Sequence, residues 1–146
     1  MENPRILLAD DQREMIQAVN GLLEDTFKIV ATVENGEQLI SADAHYQPEV
    51  IVLDISMPVL NGIEAAFRLK KSGSKAKMIF LTVHDDRDFV DAAFSAGALG
   101  YVLKERMASD LIPAIRETLR DHAFVSPTVE TRAVGRPPEL LPNFES

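Results

Sequence analysis

Four short apolar runs, at residues 6–9, 50–53, 78–81 and 100–103, constrain this chain more than any other feature. A strand with one wet face alternates polar and apolar residues. A strand that is apolar throughout is covered on both faces, as in a parallel sheet held between helices. A fifth run, at 27–33, is mixed and reads as an edge strand.

Between the runs the apolar period lengthens to that of a helix. Met15, Ile16, Val19, Leu22 and Leu23 share one helical face. So do Ile63, Ala66 and Phe67, then Phe89, Val90, Ala93 and Phe94, and last Leu111, Ile112, Ile115 and Leu119. Residues 36–46 form a weaker helical segment resting on Leu39 and Ile40. Asn61 can cap the third helix and Gly97 can close the fourth in a left-handed conformation. Asp85, Asp86 and Asp88 read as the start of the fourth helix, where negative charge is favoured. Ser109 is the expected cap of the last helix, which places Pro113 in its first turn. Five strands alternating with five helices imply a parallel sheet covered on both sides. After Ser126 the periodicity fades into a segment carrying Pro127, Pro137, Pro138 and Pro142. This divides the chain into a domain at 1–126 and a tail or linker at 127–146.

Composition excludes several classes of function. The net charge of −8 and the lack of a strongly basic window argue against direct nucleic-acid binding by this chain. There is no cysteine, so disulfide, thiolate and zinc-ribbon chemistry are absent. The N-terminal residues lack the basic head and long apolar stretch of a signal peptide. No apolar run approaches the ~18 residues that would cross a bilayer. A cytoplasmic, soluble, membrane-independent protein is expected.

The residues just past the apolar runs carry the chemistry. The first strand leads into Asp10-Asp11, the third into Asp54, the fourth into Thr82 and the fifth into Lys104. In a parallel sheet all carboxyl ends lie along one edge, where open α/β sheets bind ligands. Three carboxylates, a hydroxyl and an ammonium should therefore converge. At ~4 Å and an effective dielectric of ~20, each close carboxylate pair costs roughly 4 kcal/mol, more than one lysine can offset. A hard cation is expected, and an oxygen-only site with room for water suits Mg²⁺. Such a site fits phosphoryl transfer: Asp54 as nucleophile, Lys104 and the cation neutralising phosphoryl charge, and Thr82 as a hydrogen-bond donor.

Taken together, Asp10-Asp11, Leu53-Asp54-Ile55-Ser56-Met57-Pro58, Asn61-Gly62, Thr82 and Tyr101-Val102-Leu103-Lys104 resemble the receiver domains of two-component signalling. The resemblance covers residues 5–125 and implies a flavodoxin-like, doubly wound, five-stranded parallel sheet in the order 2-1-3-4-5, with five helices. It implies a phosphoprotein, a switch rather than an enzyme, in which Asp54 is phosphorylated by a histidine kinase or phosphotransfer protein. Asp11, Asp54 and the backbone carbonyl of Ser56 would hold Mg²⁺, with Asp10 reaching it through water. Lys104 would pair with the phosphoryl group. Thr82 and Tyr101 would be the switch pair, the ring turning inward as Thr82 moves to the phosphoryl. The fourth helix, fifth strand and fifth helix would then present a changed face to a downstream partner, an output domain or a second copy of the chain. The segment from Gly97 to Lys104, continuing through Asp110-Leu111 to Ala114-Ile115-Arg116, is most similar to receivers that carry a LuxR-type helix-turn-helix (the NarL/FixJ-like group). No such module fits before Ser146, which leaves a stand-alone receiver or a part of a longer regulator.

Glu105 stands where many receivers have a proline after a cis bond. A non-proline cis bond costs ~3–4 kcal/mol, so a trans bond is expected here. Ser56 and His84 hold positions that influence dephosphorylation in the family, and His84 otherwise reads as a surface loop residue. Three rival functions compare poorly. A flavin module would need a phosphate-cradling loop where this chain has Asp10-Asp11. A phosphatase of the haloacid dehalogenase type would need an acid where this chain has Ser56. A receiver-fold interaction module independent of phosphate would have no use for the intact acidic set.

Overall fold

The computed structural model describes residues 3–127. The tail read at 127–146 lies outside the described residues from 128 onward. Strands and helices alternate: β1 (Arg5–Ala9), α1 (Arg13–Leu23), β2 (Lys28–Val33), α2 (Gly36–Tyr46), β3 (Val50–Leu53), α3 (Gly62–Lys71), β4 (Lys77–Thr82), α4 (Arg87–Ser95), β5 (Gly100–Leu103), a 3₁₀ turn (Lys104–Arg106), α5 (Met107–Leu119) and β6 (Phe124–Val125).

The apolar runs are continuous because each strand feeds two cores. Ile6, Leu8, Val50, Val52, Ile79, Leu81 and Val102 pack with Val19 and Leu23 of α1 and Leu111, Ala114 and Ile115 of α5. Their sequence neighbours Leu7, Ala9, Ile51, Leu53, Met78, Phe80, Tyr101 and Leu103 point the other way, onto Leu39, Ala65, Leu69, Val90 and Ala93 of α2, α3 and α4. A two-residue period inside each strand thus divides an unbroken apolar run between opposite faces. β2, the mixed run, lies at the edge and has no fully buried residue.

All pairings are parallel and the order is β2-β1-β3-β4-β5-β6. The expected 2-1-3-4-5 arrangement is present, but the expected five strands are six. The sixth was illegible because it is only two residues long and its residues are half-buried. Backbone bonds from Phe124 N to the Leu99 carbonyl (3.1 Å) and from Ser126 N to the Tyr101 carbonyl (2.9 Å) seat it on β5.

The helix ends follow the sequence at two points. Asn61 Oδ1 accepts from Glu64 N at 2.9 Å, and Gly97 takes φ +105° beyond α4. The start of α5 does not follow it. The helix begins at Met107, ahead of the serine expected to cap it, so Pro113 lies mid-helix. The 3₁₀ turn runs directly into α5, and the Arg106–Asp110 ion pair ties the two together. On α3, Phe67 is half exposed rather than part of the core. None of the helices among the described residues is long and apolar enough to cross a membrane.

Candidate phosphoryl and metal site

The site is built by register. β1 and β3 pair with Ala9 opposite Leu53, so Asp10 and Asp54 leave the sheet side by side. The pairing of Asp54 N with the Ala9 carbonyl at 3.0 Å extends that ladder by one step. β4 and β5 pair with Thr82 opposite Leu103, which brings Lys104 out at the same edge. Between β1 and β3 the order of the sheet reverses, and crevices of α/β sheets open at such a switch point.

Lys104 Nζ lies 3.0 Å from Asp10 Oδ2 and 3.0 Å from Asp54 Oδ2. The second oxygen of each carboxylate is also engaged. Asp10 Oδ1 accepts from Gln12 N at 2.9 Å, and Asp54 Oδ1 accepts from Ile55 N at 2.7 Å. Asp10 and Asp54 are buried, whereas Asp11 is exposed at the rim. Burial pushes the Asp10 carboxyl above its usual range, a shift only partly offset by Gln12 N–H and Lys104. Burial pulls the Lys104 ammonium down, but its bonds to Asp10 and Asp54 outweigh that and hold it above its ordinary value.

One oxygen from each of Asp10, Asp11 and Asp54 lies within 4.8 Å of the others. Ligands around an ion with bonds of about 2.1 Å are separated by roughly 3–4 Å, so slight contraction would gather all three on a small hard cation. The donors are all carboxylate oxygens and Lys104 cancels only one of three negative charges, so the set suits a divalent cation.

The remaining predicted residues occupy the rim. Thr82 is fully buried at the end of β4, and its Oγ1 accepts from His84 N at 3.2 Å. Tyr101 is fully buried, packs beside Phe80 with ring centroids 6.5 Å apart, and donates its hydroxyl to the His84 carbonyl at 2.6 Å. Burial, with Asp85, Asp86 and Asp54 nearby, holds the phenol well above its ordinary pKa, so it remains a donor. The ring thus already occupies an inward position. Ser56 is exposed on the loop after β3, its Oγ 3.1 Å from His84 Nε2. His84 is half-buried rather than a free surface residue, stacked on Phe89 with centroids 4.1 Å apart. Among the described residues no peptide bond is cis, as expected at Glu105.

Two supporting residues were missed. Gln12 closes a turn on Asp10, and its Oε1 lies 3.4 Å from Lys104 Nζ. An aspartate accepting from the N–H two residues on is a recognisable turn device, so Asp10 followed by Gln12 carried a usable signal. Gly62, in the Asn61-Gly62 motif, has a steric role that the motif does not reveal. A Cβ there would sit 1.9 Å from the Asp54 carbonyl oxygen, so the absence of a side chain is what lets α3 approach the acceptor's backbone.

Residues 6–116 match the family described as the response regulator receiver domain. The chain is similar to the transcriptional regulatory protein DegU of Brevibacillus brevis, 35% identical over 127 residues, covering 86% of this chain and 54% of DegU. It is also similar to the chemotaxis protein CheY of Halobacterium salinarum, 31% identical over 115 residues, covering 79% of this chain and 96% of CheY. A solved LuxR-family two-component response regulator from Aurantimonas sp. SI85-9A1 superposes with a TM-score of 0.87 at 27% identity, covering 91% of this chain and 96% of that one. The chain spans about half the length of DegU and 62% of the Bacillus subtilis regulator YvfU.

Proposed function

The chain belongs to the response regulator receiver domains, and on that basis we propose that it is a phosphorylation switch whose acceptor is Asp54. The observation that carries this reading is the position of Lys104, whose ammonium bridges Asp10 and Asp54 at 3.0 Å each. Residues from opposite ends of the domain sequence meet there with an exposed third carboxylate beside them.

In this reading a carboxylate oxygen of Asp54 attacks phosphorus, and the bond from phosphorus to the donor breaks with its electron pair leaving on the donor. A histidine kinase or phosphotransfer protein is the donor. Asp11, Asp54 and the Ser56 carbonyl would hold Mg²⁺, with Asp10 reaching it through water. When bound, the ion neutralises charge on the phosphoryl oxygens. Lys104 exchanges its contact with Asp54 for one with the new phosphoryl group, and Thr82 donates its hydroxyl to another oxygen. The Thr82 hydroxyl and the Tyr101 hydroxyl both bond the backbone of His84. Movement of Thr82 therefore changes the strand-to-helix loop that Tyr101 holds, and with it the face made by α4, β5 and α5. That face engages a downstream partner, an output domain or a second copy. Residues 1–126 serve as the switch and 127–146 as a tail or linker. Receiver domains are phosphoacceptors rather than turnover catalysts, and here self-phosphorylation and slow loss of the group complete the cycle.

The test is incubation with acetyl phosphate and MgCl₂, followed by intact-mass analysis. Wild type gains one acid-labile phosphoryl group, and only with Mg²⁺ present; Asp54→Asn gains none. Equal labelling of Asp54→Asn would move the acceptor elsewhere. No labelling of wild type would favour an interaction module that works without phosphate.

A further inference from the structure

Asp110 is a buried carboxylate on α5, 5% exposed, that the phosphoryl chemistry does not use. Burial pushes its pKa up, yet Arg106, Ser126 and Ser109 hold it below the usual carboxylate range. Its contacts explain why. Oδ2 accepts from Arg106 Nε at 2.8 Å and from Ser126 Oγ at 2.9 Å; Oδ1 accepts from Ser109 Oγ at 3.0 Å. Ser126, fully buried just past β6, accepts in turn from Leu103 N at 3.1 Å.

Leu103 and Arg106 bracket Lys104. Leu103 immediately precedes it, and Arg106 ends the 3₁₀ turn that it begins. β6 pairs with β5 only at Gly100 and Tyr101, so its backbone ladder stops short of Leu103. Ser126 takes over there: its backbone N–H donates to the Tyr101 carbonyl and its side-chain hydroxyl accepts from the Leu103 N–H. One carboxylate therefore holds both ends of the segment that delivers the lysine.

We infer that Asp110 and Ser126 are positioning residues for Lys104, and that through them the terminal strand β6 is part of the frame of the phosphorylation site. The inference rests on the Asp54 reading above and deepens it. Lys104 acts only if its ammonium is delivered to a narrow position beside Asp54. A reacting group misplaced by about 1 Å can lose as much as a hundredfold in rate, and sites are held by a supporting shell of fixed hydrogen bonds. The first three carbon–carbon bonds of a lysine stem do not supply that rigidity; a backbone clamped on both sides does.

The test compares wild type, Ser126→Ala and Arg106→Gln in maximal rate of acetyl phosphate labelling, with Mg²⁺ affinity measured separately by titration calorimetry. Ser126→Ala should lower the maximal rate about tenfold and Arg106→Gln about threefold, with Mg²⁺ affinity changed less than about twofold. The carboxylates that gather the ion are untouched by either change. In a Lys104→Ala background Ser126→Ala should cost nothing further, because the group it positions is gone. Arg106 is half exposed and glutamine there can still donate to Asp110, so this variant keeps the fold even if loss of the buried hydroxyl does not. Wild-type rates in both variants, or an undiminished effect of Ser126→Ala without Lys104, would overturn the inference and leave the clasp as fold support. If wild type labels normally, that failure leaves the Asp54 reading standing. If wild type does not label at all, both fall.

Discussion

At the scale of single residues, burial sets what each carboxylate can do. Asp54 and Asp10 are both buried, but each has an ammonium on one oxygen and a backbone N–H on the other. That arrangement compensates an otherwise costly loss of hydration. Asp110 shows the same physics without any part in the chemistry. Its folded pKa lies below its ordinary value, so folding favours the ionised form. The stability it contributes is complete above the unfolded carboxylate value of about 4 and is lost as pH falls through the lower, folded value. Asp110→Asn should cost about 2 kcal/mol in urea unfolding at neutral pH, the scale of a charged hydrogen bond. The gap between wild type and variant should narrow as unfolding is repeated toward pH ~3. A gap that widens on acidification would show that the carboxylate is not held ionised.

At the scale of elements, α5 is the one whose ends and interior disagree with local rules. Pro113 sits seven residues into a thirteen-residue helix, where it has no N–H for the Ser109 carbonyl. Its side is exposed, so no core contact compensates. The helix persists because Leu111, Ala114 and Ile115 are fully buried against the sheet, and burying a large aliphatic side chain contributes roughly 1.5–3 kcal/mol. Pro113→Ala should therefore raise stability by about 1–3 kcal/mol, seen as a higher melting temperature by circular dichroism. An unchanged or lower melting temperature would mean that the proline's fixed φ supports the turn before it.

At the scale of the whole molecule, the fold concentrates negative charge at one end of the sheet. Asp10 and Asp54 share one ammonium with the Asp11 carboxylate close beside them, a crowding of negative charge that suits the site to a divalent ion. Asp11→Asn should melt higher than wild type without Mg²⁺, because one repelling charge is removed. Adding Mg²⁺ should then reverse the ranking: at about a hundredfold excess over its dissociation constant a ligand adds about 2.7 kcal/mol to the native state. Thermal scans with and without MgCl₂ read both effects, and a variant that gains as much as wild type from the ion would remove Asp11 from the ligand set.

The parallel sheet, its edge strand and the residues at its carboxyl rim were legible in the chain itself. A strand buried on two faces must be apolar throughout, and polar residues placed directly after several such runs must emerge at one edge. Asn61 and Gly97 were legible for a similar reason, since a helix cap depends on the few residues around it. What the linear pattern left open was decided by contacts between distant segments. β6 exists because β5 offers it an edge, not because two half-buried residues favour a strand. α5 starts early because Asp110 reaches back to Arg106 and outward to Ser126. Phe67 is left half exposed while Ala65 and Ala66 of α3 turn fully into the core. Local pattern carries information about which face a residue occupies; only the packed chain determines what lies opposite it, and the hydrogen bonds that hold Lys104 in reach of Asp54 are of that second kind.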